Sequence, residues 1–169
     1  MIETAVQIEP VWAETVDWEA LAQRAVLAAI RHSPHGLLVD DAVCIEVSVR
    51  YADDEEVREL NANYRGKDKS TNVLSFPMVQ ADLLEGLTNS DDGEVLLGDI
   101  ILAHGVCVRE AAEKGVVPAT HATHLIVHGT LHLLGFDHMD DGEAEAMEAI
   151  ERAALASLGI SDPYAVDES

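Results

Sequence analysis

The stretch His128-Gly129-Thr130-Leu131-His132-Leu133-Leu134-Gly135-Phe136-Asp137-His138 limits the local fold more than any other part of this chain. Side chains four apart on an α-helix share one face, about 6 Å apart along the axis, so helical backbone brings His128 and His132 to a common point. Gly135 stands where a helix end favours a left-handed residue, and a reversal there returns His138 toward the same point. Three imidazoles on one ion leave a fourth tetrahedral position open, the arrangement of a catalytic zinc rather than a structural one. The segment therefore predicts a helix, a glycine turn and a metal site of His128, His132 and His138, with His128 also at the catalytic centre.

The spacing matches the metzincin pattern His-Glu-x-x-His-x-x-Gly-x-x-His at every His and at the Gly, but Gly129 replaces the Glu that serves as general base. That absence weighs against an ordinary zinc protease, because hydrolysis by that route needs a carboxylate beside the activated water. His124 continues the series at four-residue spacing. The three residues His124, His128 and His132 span about 12 Å, too far for one ion, so His124 is expected beside the site or on the helix face. His121 is expected near the helix start and exposed. Leu131, Leu133, Leu134 and Phe136 read as packing for the helix and its turn.

A chain of 169 residues with 48% hydrophobic and 25% charged content reads as one globular domain, here residues 1–169 with a frayed tail over 159–169. Met1 to Pro10 carry Glu3 and Glu9 without a basic start or an apolar run, which predicts no signal peptide. No stretch is apolar for long enough to cross a bilayer, so no membrane partner is expected. Cys44 and Cys107 are isolated thiols, as in a cytoplasmic protein.

Strand and helix signals alternate along the chain. Ala5 to Glu9 reads as a strand and Asp17 to His32 as a helix; His32 and His35, at the following turn, read as exposed. Val43, Ile45, Val47 and Val49 alternate with polar neighbours, the period of a half-buried strand. Asp53 and Asp54 cap a helix carrying Val57, Leu60 and Tyr64. Val73 to Phe76 and Leu96 to Ala103 are further strands, and helices run from His104 to near Gly115 and from Ala119 to Leu134. Asp140 with Glu143 suggests a capping box for a last helix ending near Leu158. On that helix Glu143, Glu145, Glu148 and Glu151 read as the wet face. The expected fold is a mixed α/β (α+β) domain: a small mixed sheet packed with helices, metalloprotease-like, with the metal site on a helix before a Gly turn.

Arg65, Lys67 and Lys69 place three of ten basic residues within five positions around Gly66. A guanidinium donates parallel hydrogen bonds to phosphate and Lys adds a point charge, although any basic triplet also suits a solvated loop. Asn72 has the reach to bond across this loop or across a cleft. Trp12 and Trp18 lack basic neighbours, so packing is expected there rather than stacking on bases.

The segment from Asn61 to Pro77, Leu97-Gly98-Asp99-Ile100, and His128 to His138 together resemble the YbeY family, bacterial single-domain metal-dependent endoribonucleases of ribosomal RNA maturation. The likeness runs from about Val43 to Leu158 in family order. Ser70 departs from it, standing where many relatives carry Pro, and Val79 to Glu94 matches no motif. The resemblance implies one zinc ion per chain, with nickel or another divalent metal as alternatives, and an important arginine at Arg65. It also implies ribosomal RNA and the small ribosomal subunit or its proteins as partners, in the cytoplasm. Asp99 reads equally as structural, Asp137 as a carboxylate orienting a ligand, and Asp140 as a cap.

The formal net charge of −22 sits awkwardly with a polyanionic substrate. Charges beyond about 8 Å are largely screened at physiological salt, so a basic loop beside a dication still makes a local positive site. An acidic exterior also suits basic ribosomal proteins, and suits solubility or a salt-rich habitat equally well. Three readings stand: a metal-dependent single-strand endoribonuclease of small-subunit 16S rRNA 3′-end maturation and ribosome quality control, a metal-dependent hydrolase of another bond such as the peptide, and a non-catalytic assembly factor with a structural metal. The sequence leaves the nucleophile open between a water and a ribose 2′-hydroxyl, and leaves the oligomeric state open.

Overall fold

The computed structural model describes residues 2–12, 15–40, 44–79, 94–136 and 141–160. Its order is β1 (Ile2–Ile8), α1 (Trp18–His32), a 3-10 turn (Gly36–Val39), β2 (Cys44–Ala52), α2 (Asp54–Arg65), β3 (Val73–Pro77), β4 (Glu94–Ala103), α3 (His104–Lys114), α4 (Pro118–Leu133) and α5 (Asp141–Ser157). Four strands form one mixed sheet in the order β1-β2-β4-β3. β1 and β4 flank β2 in parallel, and β3 closes one edge antiparallel to β4. The parallel neighbours need helical crossovers, which α1 and α2 supply. This is the expected α+β architecture.

The two faces of the sheet differ. Ile45, Val47, Val49 and Tyr51 of β2 alternate into the main core with Ala22, Val26 and Ile30 of α1, Ile126, Val127 and Leu131 of α4, and Met147 and Leu155 of α5. The period-two pattern of β2 was legible for this reason: only one face is fully covered. Trp12 and Trp18 are buried, with ring centroids 4.9 Å apart, and Trp12 Nε1 donates to the carbonyl of Ala52 at 2.9 Å. On the opposite face α2 covers one end through a smaller cluster of Ala52, Val57, Leu74, Ile101 and Ala103. Arg50 ties that side together, bonding Gln7, Glu9 and Glu56.

Local signals explain the helix ends. Asp17 and Asp53 accept from backbone N–H groups of Ala20 and Glu56, at 3.1 and 2.8 Å, as N-caps. α3 has no cap from its own chain neighbour; Asp54 of α2 instead accepts from the N–H groups of Gly105 and Val106 at 2.8 and 3.2 Å. That contact requires glycine at 105, where a Cβ would lie 2.4 Å from Asp54 Oδ2. Asp140 lies outside the described residues, so the expected capping box of α5 does too, as does the acidic stretch 80–93.

β4 carries an irregularity: Glu46 pairs with Leu96 but Val47 pairs with Gly98, leaving Leu97 as an extra residue. The shift sets Gly98 under α4, where a Cβ would lie 2.5 Å from the Phe76 carbonyl oxygen and 2.6 Å from Leu133 Cδ2. Gly98→Ala is therefore expected to cost about 1–3 kcal/mol, because a backbone atom and the end of α4 would have to move. Urea unfolding of the variant checks this.

Candidate active site

α4 is buried along most of its length, with His128 and His132 at its open side. The helix closes as a Schellman motif. Gly135, at φ 97°, donates to the His132 carbonyl at 3.0 Å, and Phe136 N–H donates to the Leu131 carbonyl at 3.1 Å. This turn places the Phe136 carbonyl where His132 Nδ1 meets it at 2.8 Å. His128 Nδ1 meets Glu151 Oε1 of α5 at 2.5 Å. A carbonyl oxygen only accepts, so His132 carries its proton on Nδ1, and an ionised carboxylate imposes the same on His128. The two Nε2 atoms lie 2.9 Å apart. In neutral rings both would present lone pairs to one another, an arrangement relieved by a shared electrophile. Two imidazole nitrogens so prepared fit a dication such as zinc.

Among the described residues no group of three His, Cys, Asp or Glu side chains is placed to hold one ion. His138, the third expected ligand, lies outside the described residues, as does Asp137.

His128 and His132 line a cavity of about 430 Å³ with Arg65, Asn72, Val73, Ser75, Pro77, Gly135 and Phe136. Arg65 ends α2, and Gly66 follows it in the left-handed conformation at φ 69°. Buried Asn61 shapes the basic loop by donating from Nδ2 to the Lys69 carbonyl at 2.8 Å. Arg65 Nη2 donates to the Ser75 carbonyl at 2.9 Å, and its guanidinium lies 5.7 Å from the Phe76 ring centroid. The structure thus brings Arg65 to the same cleft as the histidine pair. Lys67 and Lys69 are exposed. Asn72 turns away from the basic loop: its amide donates to Glu110 Oε1 at 3.0 Å and its oxygen accepts from Val73 N–H at 2.7 Å.

β3 forms one wall of the cleft through the edge that, among the described residues, pairs with no other strand. Bonds from Met78 N–H to Leu97 and from Ala103 N–H to Asn72 place the groups of Val73, Ser75 and Pro77 on that edge. Asn72 occupies the Val73 N–H, Arg65 occupies the Ser75 carbonyl, and Pro77 has no N–H to offer. An extended peptide seeking to add a strand meets a blunted edge. Gly129 faces away from the cleft toward β4, where a Cβ would lie 3.1 Å from Ile100 Cγ2. The position of the metzincin glutamate is therefore a packing position here.

Several expectations need correction. Glu151 is not on the wet face of α5; it is 0% exposed and sits behind His128, with Oε2 3.5 Å from His124 Nε2. The signal was available: Met147, Glu151, Ala154 and Leu155 follow one helical stripe, and the other three are apolar and buried. His121 is buried, not exposed, with Nε2 2.7 Å from Glu110 Oε1. His32 is partly buried at the end of α1, and its Nε2 is enclosed. His124 is a neighbour of the site, as expected. Asp99 lies on the other sheet face, in a cavity of about 620 Å³ with Ser48, Arg50 and Ile101, apart from the histidines.

A family model described as Endoribonuclease YbeY matches residues 7–159. The chain belongs to the YbeY family. A protein named Endoribonuclease YbeY from Rhizorhabdus wittichii is 71% identical over 168 residues, covering 99% of each chain. Its namesake from Sphingopyxis alaskensis is 63% identical over 154 residues, 91% of this chain and 92% of its own. The solution structure of TM1509 from Thermotoga maritima shares the fold, with a TM-score of 0.54 at 20% identity over 94% of this chain and 92% of that one. Among the described residues of this YbeY-family chain, no helix is long and apolar enough to cross a membrane.

Burial lowers the pKa of His121 below its ordinary value, against the opposing pull of Glu110. A folded-state pKa below the unfolded one means that the unfolded chain takes up this proton first as acid is added. The His121 contribution is full above about pH 6.5 and is lost as pH falls. The urea midpoint of the native chain is expected to drop between pH 7.5 and 5.5 by more than that of His121→Gln, which keeps a polar partner for Glu110 without titrating.

Proposed function

We propose that this chain is a zinc-dependent endoribonuclease that cuts single-stranded RNA during late maturation of the 16S rRNA 3′ end and in ribosome quality control. The observation that carries the reading is the meeting of Arg65 with the prepared Nε2 pair of His128 and His132 in one cleft. The name borne by relatives as much as 71% identical supports RNA as the substrate. His128, His132 and His138 would hold one zinc ion, or nickel in its place. When bound there, the ion supplies a water of lowered pKa or polarises a phosphoryl oxygen.

The residues of the chain do the rest. Arg65 is steadied by its bond to the Ser75 carbonyl, and other N–H groups of its guanidinium would pair with the phosphate as charge gathers on it. Asn72, held by Glu110, accepts from the Val73 N–H at the start of β3, beside the cleft. Glu151 is fully buried behind His128, a place that suits holding that ring rather than taking a proton in the cleft.

A peptidase is the weaker reading. The blunted β3 edge and the packed Gly129 remove the strand platform and the carboxylate on which that chemistry depends. The acidic exterior, at −22, favours placement by basic proteins of the small subunit over tight binding to free RNA. Such work belongs in the cytoplasm, where the buried free thiols Cys44 and Cys107 stay reduced. Cleavage of precursor small-subunit rRNA, free and in assembled subunits, tests the proposal. Cutting by the native chain that is absent from His128→Ala is expected, and cutting of casein peptides in place of RNA would reject it.

A further inference from the structure

We propose that Glu151 is a positioning residue of this site: its buried carboxylate holds the His128 ring by Nδ1 and so aims Nε2 into the cleft. The inference rests on the metal reading above and deepens it.

Glu151 stands on an apolar stripe of α5 between Met147 and Leu155, where a hydrocarbon would pack without penalty. A carboxylate removed from water is costly unless partners compensate for its lost hydration. Its Oε1 lies 2.5 Å from His128 Nδ1, and Oε2 lies 3.5 Å from His124 Nε2. His132 is held in the same sense by a different device, the Phe136 carbonyl delivered by the Gly135 turn. Both rings are thereby set with the proton on Nδ1 rather than Nε2, and the two Nε2 atoms converge at 2.9 Å. A carboxylate behind an imidazole fixes the tautomer and ring orientation that a metal ligand needs. α5 thus contributes to the site without touching substrate.

The zinc dissociation constant of the full chain, measured by competition with a chromogenic chelator, is expected to rise about 10- to 100-fold in Glu151→Gln. That variant keeps the shape and loses the charge, and circular dichroism establishes that it is folded. Nitrogen chemical shifts of His128 in the zinc-free native chain are expected to show the Nδ1–H tautomer, and a mixture in the variant. Zinc affinity within twofold of native, with the tautomer unchanged, would overturn the role of Glu151 alone. A native chain that binds no zinc would overturn the metal reading and this role with it. Should Glu151→Gln fail to fold, the native tautomer decides: an Nε2–H ring overturns the inference. Glu151→Asp, which keeps the charge at a shorter reach, is expected to fall between the other two in affinity.

Discussion

His132→Ala is expected to lower RNA cleavage by at least about 10³-fold while leaving a folded chain, because under the proposed metal site the loss of one ligand removes several kcal/mol of charge stabilisation from the reaction. His132 is at the open side of α4, and its ring is held by the turn that follows rather than by the core. Leu125, Ile126, Leu131 and Leu133, which pack α4 into the core, are all retained in the variant. Zinc content by elemental analysis should fall with activity, and the thermal transition of the zinc-free protein should move little. A variant that lost zinc and unfolded would favour the structural-metal reading instead.

Arg65→Ala is expected to separate metal from chemistry. Its zinc content should equal that of the native chain, while single-turnover cleavage falls about 10²- to 10³-fold, the usual cost of deleting one preorganised donor to a developing anion. Arg65→Lys should recover only part of the loss, because an ammonium lacks the fork that bonds Ser75 and a phosphate together. Single-turnover rates at saturating RNA distinguish this from weaker binding. Equal losses for Arg65→Ala and for exposed Lys67→Ala would instead mean that the loop contributes only diffuse charge.

The parts of this molecule that were legible beforehand are those whose sequence signal is local. The four-residue spacing of His128 and His132, the glycine that ends their helix, the alternation of β2 and the Asp cap of α2 each encode geometry within a few residues. The resemblance singled out Arg65, but its bond to the outer edge of β3 was not legible, because nothing in residues 65–75 states which strand lies at the edge. Glu151 was misread because acids on an amphipathic helix usually face water, and its partner lies 23 residues earlier. Glu110 and His121 were missed as a pair for the same reason, being on different helices. The pairing shift that places Gly98 beneath Leu133 is a property of the assembled sheet, and a lone glycine in a strand signal does not announce it.

The most direct test of the proposed metal dependence is restoration. The native chain, stripped with a chelator and dialysed, would be offered precursor small-subunit rRNA in assembled subunits, with zinc returned in fractions of one equivalent. Cleavage that is absent from the stripped chain, rises to a plateau near one zinc per chain, and never appears with His132→Ala is the predicted result. Cleavage that persists at full rate without metal, or that His132→Ala carries out equally well, would contradict it.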